Sequence, residues 1–580
     1  MQVITHPLGL LFVILLLVRP FGDYPVNDDW QYARAAKILA ATHQLIIDTP
    51  VAPSLVGQLY VAAAVIRIIG FSHTLLRMMT LFLAVICWLS IDKILQLSGV
   101  SRYVRRCAGL LLVSNALFLH LSLSFMTEFW GYAPALLGAA LWLFERRRAE
   151  ATQAPAALRL GPAIAVALII GSSFWVRQFC ILSFPALLLA TVGCLLGNRQ
   201  WSRLRATLPT LSVAMLAFLA VTYAYFRWAQ ATGNQRSAFA DPLARLVSIR
   251  ASSWQLGWGI FWAYMALFLT PLAMVGFRGD VRPRARMVVC GVLWVSMAAA
   301  AWKLRTMDVL PTSMRGFLHG QFPYLSNVIH DAGVGPITLP DVFFGNLPRP
   351  SFPKHIWWAV EGALFVGAWF VAAALARTPG LIRASGLRGE SVLFGLLFAA
   401  SSLILTVQAY QESVFDRYLL APFIGLLIVV AIAAEPEPTP DDAAPKNPPP
   451  RWRGRLAFPL ALAPLLWFSV AGVHDYFRWN DARWALVRAL LHRGVSPTII
   501  QGGYEVNGWL NYDARRYGQP ASGCVGLCRC AVWWPEWSCT DDSYQISMNP
   551  LPGYQPVAQT SLTYWLVPAR GRLLASRRRW

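Results

Sequence analysis

Charge is scarce in this sequence. Only 13% of its 580 residues are Asp, Glu, Lys or Arg, about half the share of an ordinary soluble chain. With 56% hydrophobic residues beside so little charge, a water-soluble globule is excluded. Acids are the scarcer sign, 28 against 50 Lys plus Arg, for a net charge of +22. The arginines sit in short loops between apolar runs, so the excess reads as the bias of cytoplasmic loops and not as a nucleic-acid surface. No stretch alternates apolar and polar residues over a spanning length, which argues against a barrel and leaves helices. The first apolar run, Val3 to Val18, lacks a basic start and a small-residue cleavage pattern before Asp23. It reads as a retained span, not a signal peptide. No internal repeat is visible, which weighs against the paired halves of a transporter.

What is present is a series of apolar runs, at 3–20, 75–97, 107–125, 129–145, 161–176, 179–196, 208–227, 254–276, 287–303, 357–376, 391–409, 417–434 and 456–473. Their length is that of membrane helices. The fold expected is an all-α polytopic membrane protein of about 13 transmembrane helices, with helices lying on its outer face and a small C-terminal α/β soluble domain. The run 55–70, with Arg67 near its end, reads as one of the interfacial helices. With it outside the count, alternate loops carry the arginines: Arg102, Arg105 and Arg106; Arg146, Arg147, Arg148 and Arg159; Arg199, Arg203 and Arg205; Arg278, Arg282, Arg284 and Arg286; Arg377, Arg383 and Arg388. These loops go to the cytoplasm. The N-terminus is then cytoplasmic, and loops 21–74 and 304–356 face outward. The expected domains are a transmembrane module over 1–434, a proline-rich cytoplasmic linker at 435–455, a last span at 456–473 and an outward domain over 474–580. In that domain "DARWALVRALLHRG" reads as a helix, and "SPTIIQGGYEVNG" and "TSLTYWLVPARG" as strands.

Five of the nine cysteines lie in or beside apolar runs, as packing residues. Cys524, Cys528, Cys530 and Cys539 cluster in the outward tail and read as two disulfides, with three pairings open. Zinc is the competing reading, without the paired C-x-x-C units of common structural sites. Trp533, Trp534 and Trp537 either pack around the disulfides or stack on sugar rings.

The polar groups on the expected outer face carry the chemistry. "PVNDDWQYAR" places Asp28 and Asp29 just after the first span. Asn27 or Asp28 can cap the helix that follows, and acids suit its first turn. In "HLSLSFMTEFW", His120, Ser124 and Glu128 are spaced i, i+4, i+8 and so share one helix face. Arg177 stands alone in the outward turn "SSFWVRQFC", suited either to lipid headgroups or to a phosphate. Asp416 and Arg417 enter the twelfth span and can pair with each other. Carboxylates and arginines at one depth suit a reaction between a lipid phosphate and a hydroxyl, with a carboxylate as general base and arginines stabilising the leaving phosphate.

The order of these motifs resembles the integral-membrane glycosyltransferases of the GT-C class, which include protein O-mannosyltransferases and lipid A aminoarabinose transferases. The resemblance runs over residues 1–230 and 410–434. It rests on Asp28-Asp29-Trp30-Gln31-Tyr32 after the first span, "DTPVAPSLVGQLY", "GFSHTLLR" with Arg77, Glu128 at a span start, and Arg417-Tyr418-Leu419-Leu420-Ala421-Pro422. The sequence departs from the family in having Asp-Asp where Asp-Glu is common, no adjacent prolines in the second motif, and an unmatched cysteine-bearing tail. The resemblance implies an enzyme that moves a sugar from a polyprenyl-phosphate donor to a glycan, lipid or protein acceptor on the outer face of a plasma membrane of the bacterial inner type. It implies Asp28 as base, with Asp29 and Glu128 as supporting acids; Tyr32 and His120 are assigned to positioning substrate. Arg177 and Arg417 are assigned to the donor phosphate on charge and side. No cofactor is expected. A divalent cation, held if Asp28, Asp29 and Glu128 converged, is the less favoured alternative, as is a transporter or lipid flippase for the whole chain.

Overall fold

The computed structural model describes residues 6–47, 49, 54–151, 158–232, 251–277, 283–306, 322–325, 327–329, 334–335, 354–383, 386–409, 415–435, 452–512 and 543–579. Within them every expected span is helical. The helices in chain order are α1 (Pro7–Val18), α2 (Asp29–Thr42), α3 (Val56–Ile69), α4 (His73–Leu97), α5 (Arg102–Val113), α6 (Ala116–Ser122), α7 (Glu128–Ala151), α8 (Leu160–Phe174), α9 (Ser183–Gly197), α10 (Trp201–Ala231), α11 (Ala251–Val275), α12 (Pro283–Thr306), α13 (Lys354–Leu375), α14 (Thr378–Arg383), α15 (Leu387–Ala409), α16 (Leu420–Ala434), α17 (Trp452–His492) and α18 (Tyr504–Asn511). The strands are β1 (Ile500–Gln501), β2 (Tyr544–Ser547), β3 (Tyr554–Tyr564) and β4 (Ala569–Arg578).

Among the described residues nine helices are long and apolar enough to cross a membrane, or ten if α5 and α6 form one bent span. The sequence expectation is higher because it counts α1 and α8, which are apolar but short. It also counts α7, whose 24 residues include Trp, Tyr, Gly and Pro. The run 107–125 is not one straight helix. It bends by 66° between α5 and α6, where the Asn115 side chain accepts from Leu117 N and Phe118 N and starts a new helix.

α16 is apolar on every face and every one of its residues is buried, which makes it the centre of the bundle. The 3-10 turn Asp416–Leu419 leads into it, so Arg417 emerges from the middle of the helix array. Buried ion pairs mark both ends of α7. Glu128 opens it, and near its other end Arg146 pairs with Glu390 of α15 at 3.0 Å. The 18-residue separation corresponds to about 27 Å of helix.

α2 and α3 lie beside each other at the Glu128 end. Arg67 donates to the carbonyls of Leu39 and Ala40 at 2.8 and 3.0 Å. The basic residue that stood out in 55–70 thus caps the C-terminus of α2. The start of α3 is fixed to the turn after α8, with Leu55 N and Gly57 N donating to the carbonyls of Val176 and Trp175.

α17 runs unbroken for 41 residues. The expected border at 474 falls inside it, and the helix expected at 481–494 is its continuation. The sheet beyond has the order β1-β2-β4-β3, with β1 parallel to β2 and the other pairs antiparallel. "SPTIIQGGYEVNG" contributes only the two residues of β1 before α18 begins, whereas "TSLTY" ends the long β3. Asp475 of α17 clips the sheet down by accepting from Trp565 N and Leu566 N at 2.8 and 2.9 Å. The five described cysteines, Cys87, Cys107, Cys180, Cys194 and Cys290, are free and buried. Cys524, Cys528, Cys530 and Cys539, Trp533, Trp534 and Trp537, and 436–451 of the linker lie outside the described residues.

Candidate functional site

The loop between α1 and α2 is shaped by Arg77. Its buried guanidinium donates to the carbonyls of Pro20, Gly22 and Tyr24, the last at 3.0 Å. Asp23 accepts from His73 N, and the Tyr24 hydroxyl donates to Asp481 of α17, both at 2.7 Å. The chain then turns through Asn27, whose φ of 55° lies in the left-handed region that Asn tolerates. α2 starts directly afterwards.

The adjacent acids now separate. Asp29 is buried; its Oδ1 accepts from Val26 N at 2.7 Å and its Oδ2 from Phe125 N at 3.1 Å. Burial lifts its carboxyl to about 7, against the pull of Arg77 and of these two N–H groups. Asp29 thus ties the start of α2 to the turn before α7. The Asp28 side chain makes no capping bond to its helix. It is the more exposed of the two and turns toward the bundle.

There Arg417 Nη1 lies 2.7 Å from Asp28 Oδ2. Arg417 Nε lies 3.9 Å from Glu128 Oε1, and the same Glu128 oxygen is 3.0 Å from Arg177 Nη1. Four residues from four distant segments form an alternating chain, Asp28–Arg417–Glu128–Arg177. The side chains of Glu128, Arg177 and Arg417 are almost completely covered, while that of Asp28 is 20% exposed. The Tyr418 ring lies against both guanidiniums, 5.6 Å from Arg177 and 5.4 Å from Arg417. Gly131 lets Arg177 lie against α7, since a Cβ there would come within 2.9 Å of the arginine Cβ. Thr127 accepts from Arg177 Nη1 at 2.6 Å. Arg177 Nε and Nη2 are buried and make no hydrogen bond among the described residues.

Several expectations need correction. Asp416 and Arg417 do not pair. Asp416 accepts from Val328 N and Ile329 N at 2.8 and 2.7 Å and anchors part of loop 304–356, leaving Arg417 to the site. His120, Ser124 and Glu128 do not share a continuous helix face. α6 ends at Ser122 and α7 starts at Glu128, because Asp29 takes Phe125 N and Gln58 donates to Phe125 O at 3.0 Å, drawing that residue out of helical pairing. His120 packs edge-on against Tyr476 of α17, 5.3 Å between ring centres. Asp29 is spent on backbone groups and does not converge with Asp28 and Glu128. Among the described residues no three His, Cys, Asp or Glu side chains form a metal-holding group. Tyr32 is buried, and burial, then the Asp28 charge, raise its phenol well above its ordinary value.

Sequence reading missed what the C-terminal segment brings. The Tyr504 hydroxyl donates to Asp28 Oδ1 at 2.8 Å. Glu505 accepts from Asn27 N at 3.1 Å and from Arg483 at 2.9 Å. Asn27 Nδ2 donates to Asn327 at 3.1 Å. Nothing in "GGYEVNG" signals a contact with residues some 476 positions earlier.

No family model and no curated protein matches the chain. Solved structures do. ArnT from Cupriavidus metallidurans in the apo state aligns at 12% identity and a TM-score of 0.39, over 98% of this chain and 97% of that one. ArnT from Cupriavidus metallidurans bound to undecaprenyl phosphate aligns at 13% identity and a TM-score of 0.38, over the same shares. The apo oligosaccharyltransferase of Archaeoglobus fulgidus aligns at 12% identity and a TM-score of 0.41, over 81% of this chain and 56% of that one. Across most of its length this chain is similar to these membrane proteins.

Proposed function

We propose that the chain is a membrane glycosyltransferase that moves a sugar from a polyprenyl-phosphate donor to a hydroxyl of an envelope glycan, lipid or protein on the outer face. The observation that carries the reading is the Asp28–Arg417–Glu128–Arg177 chain, which joins a base reachable from solvent to two buried guanidiniums. Asp28 takes the proton of the acceptor hydroxyl as its oxygen attacks the anomeric carbon from the face opposite the donor phosphate. The bond from that carbon to the phosphate oxygen breaks with inversion, and the polyprenyl phosphate leaves with the electron pair. Arg177 and Arg417 stabilise the charge that grows on it. The two buried, unbonded nitrogens of Arg177, Nε and Nη2, support this role, since phosphate oxygens would satisfy their N–H groups. Glu128 keeps the guanidiniums paired between turnovers. The leaving group already carries a stable negative charge, so proton transfer and bond cleavage need only these side chains.

The test is mass spectrometry of lipid carriers and envelope glycans from a deletion strain complemented with wild type or Asp28→Asn at matched expression. The expected result is that a polyprenyl-phosphate sugar accumulates in the deletion, that one glycan lacks a residue, and that only wild type restores it. Loss of a general base lowers turnover by about a hundred- to ten-thousand-fold. Full complementation by Asp28→Asn would reduce that acid to a structural role. No change in any carrier or glycan would end the transferase reading.

A further inference from the structure

Arg417 holds one oxygen of Asp28. A carboxylate held at one oxygen can still pivot about it, and a base that pivots meets its proton in the right geometry only part of the time. The second oxygen is held by Tyr504, whose hydroxyl donates to Oδ1 at 2.8 Å and accepts from Gln31 Nε2 at 2.8 Å. The Gln31 amide donates to the phenol oxygen, and the phenol proton goes to Asp28. Burial, then the Asp28 charge, hold that phenol well above its ordinary value, so it stays a donor throughout the neutral range.

α18 is fixed where this bond requires it. Trp30 of α2 lies edge-on to Tyr504 and tilted on Tyr512, at 5.8 and 5.5 Å between ring centres. Its indole also fills the space beside Gly508, where a Cβ would meet it at 2.4 Å. Arg34 lies over Tyr512 and Lys37 over Trp509. Glu505, next to Tyr504, is held by Arg483, by the Tyr476 hydroxyl and by Asn27 N. A helix anchored along its length in this way does not swing its first residue freely.

We propose that Tyr504 is a positioning residue for Asp28, and that the active site is therefore composite, completed by the C-terminal domain. This rests on the reading of Asp28 as the base. Each oxygen of Asp28 keeps a lone pair for the acceptor proton. The acceptor that reaches Oδ1 does so beside Tyr504, so α18 forms one wall of the acceptor site.

The test uses the full-length protein with, as donor, the lipid-linked sugar extracted from the deletion strain. Tyr504→Phe keeps the ring contacts with Trp30 and removes only the hydroxyl. The expected result is a kcat lower by about tenfold, the size of a lost hydrogen bond to a charged group, with the KM for donor unchanged. The acid limb of the pH–rate profile moves to higher pH, because the phenol donates to the ionised carboxylate. The other groups around Asp28, namely Arg417, Glu128, Arg177 and Tyr32, are the same in both proteins. Asp475→Asn is the structural control, since it loosens the C-terminal sheet at Trp565 and Leu566 without touching α18 or Asp28 and leaves the acid limb in place. Tyr504→Phe with wild-type kcat and acid limb overturns the proposal, as does a loss of kcat with no movement of that limb. If wild type fails to turn over the extracted donor, or Asp28→Asn turns it over normally, the transferase reading fails and this inference with it.

Discussion

Replacing Glu128 by Gln keeps the shape of the side chain and removes the negative charge at the centre of the site. The acid is fully buried, 3.0 Å from one guanidinium nitrogen and 3.9 Å from another. At an effective dielectric of about 20 these two attractions amount to about 5 and about 4 kcal/mol before desolvation is counted. Breaking a buried pair by removing one partner leaves a net loss of about 3–5 kcal/mol. Arg177 and Arg417 are then left with Asp28 as the remaining acid of the chain. An anion supplied at the same place offsets part of that loss. A ligand at a hundred times its Kd stabilises the native state by about 2.7 kcal/mol, and if the proposed polyprenyl-phosphate donor binds here, Glu128→Gln should gain more than wild type does from undecaprenyl phosphate used as the probe. The assay is the unfolding temperature of the detergent-solubilised full-length protein, followed by tryptophan fluorescence with and without undecaprenyl phosphate. The expected pattern is a clear drop for the variant alone and a larger lipid-induced rise for the variant than for wild type. Refutation takes either of two forms: Glu128→Gln unfolds at the wild-type temperature without lipid, or the lipid raises both proteins equally.

Two further predictions concern the scaffold. The Asp29 carboxyl is raised in the folded protein from 3.8 to about 7, so the native state binds its proton more tightly than the unfolded chain. Its contribution to stability is complete below about pH 4 and is lost as pH rises through about 7. Thermal unfolding across that window should show wild type losing stability more steeply than Asp29→Asn, and parallel curves would contradict the assignment. Asp475→Asn leaves one of the two N–H groups of Trp565 and Leu566 without an acceptor, at a cost of about 1–3 kcal/mol. Limited proteolysis should then release the C-terminal sheet faster than in wild type, and an unchanged rate would contradict the clip.

The helices were readable because the bilayer imposes one rule on every spanning segment: apolar side chains outside and backbone bonds satisfied within. Asp28, Glu128, Arg177 and Arg417 were readable for a related reason. Each is a charge at the end of an apolar run, where its cost demands a partner or a use. Apart from the family resemblance, the sequence could not divide the work between Asp28 and Asp29. Adjacent residues at a helix start point in different directions, and what each one meets depends on the turn before α7 and on Arg417, 389 positions away from Asp28.

The sequence by itself determined the membrane class, the helical segments and the charged groups that required explanation, because these follow from local composition and period. Tertiary structure alone decided the pairing order Asp28–Arg417–Glu128–Arg177, the break that turns His120 toward Tyr476, and the arrival of Tyr504 at Asp28. Those contacts join segments far apart in the chain, and no local propensity encodes a contact between residues that only the packed bundle brings together.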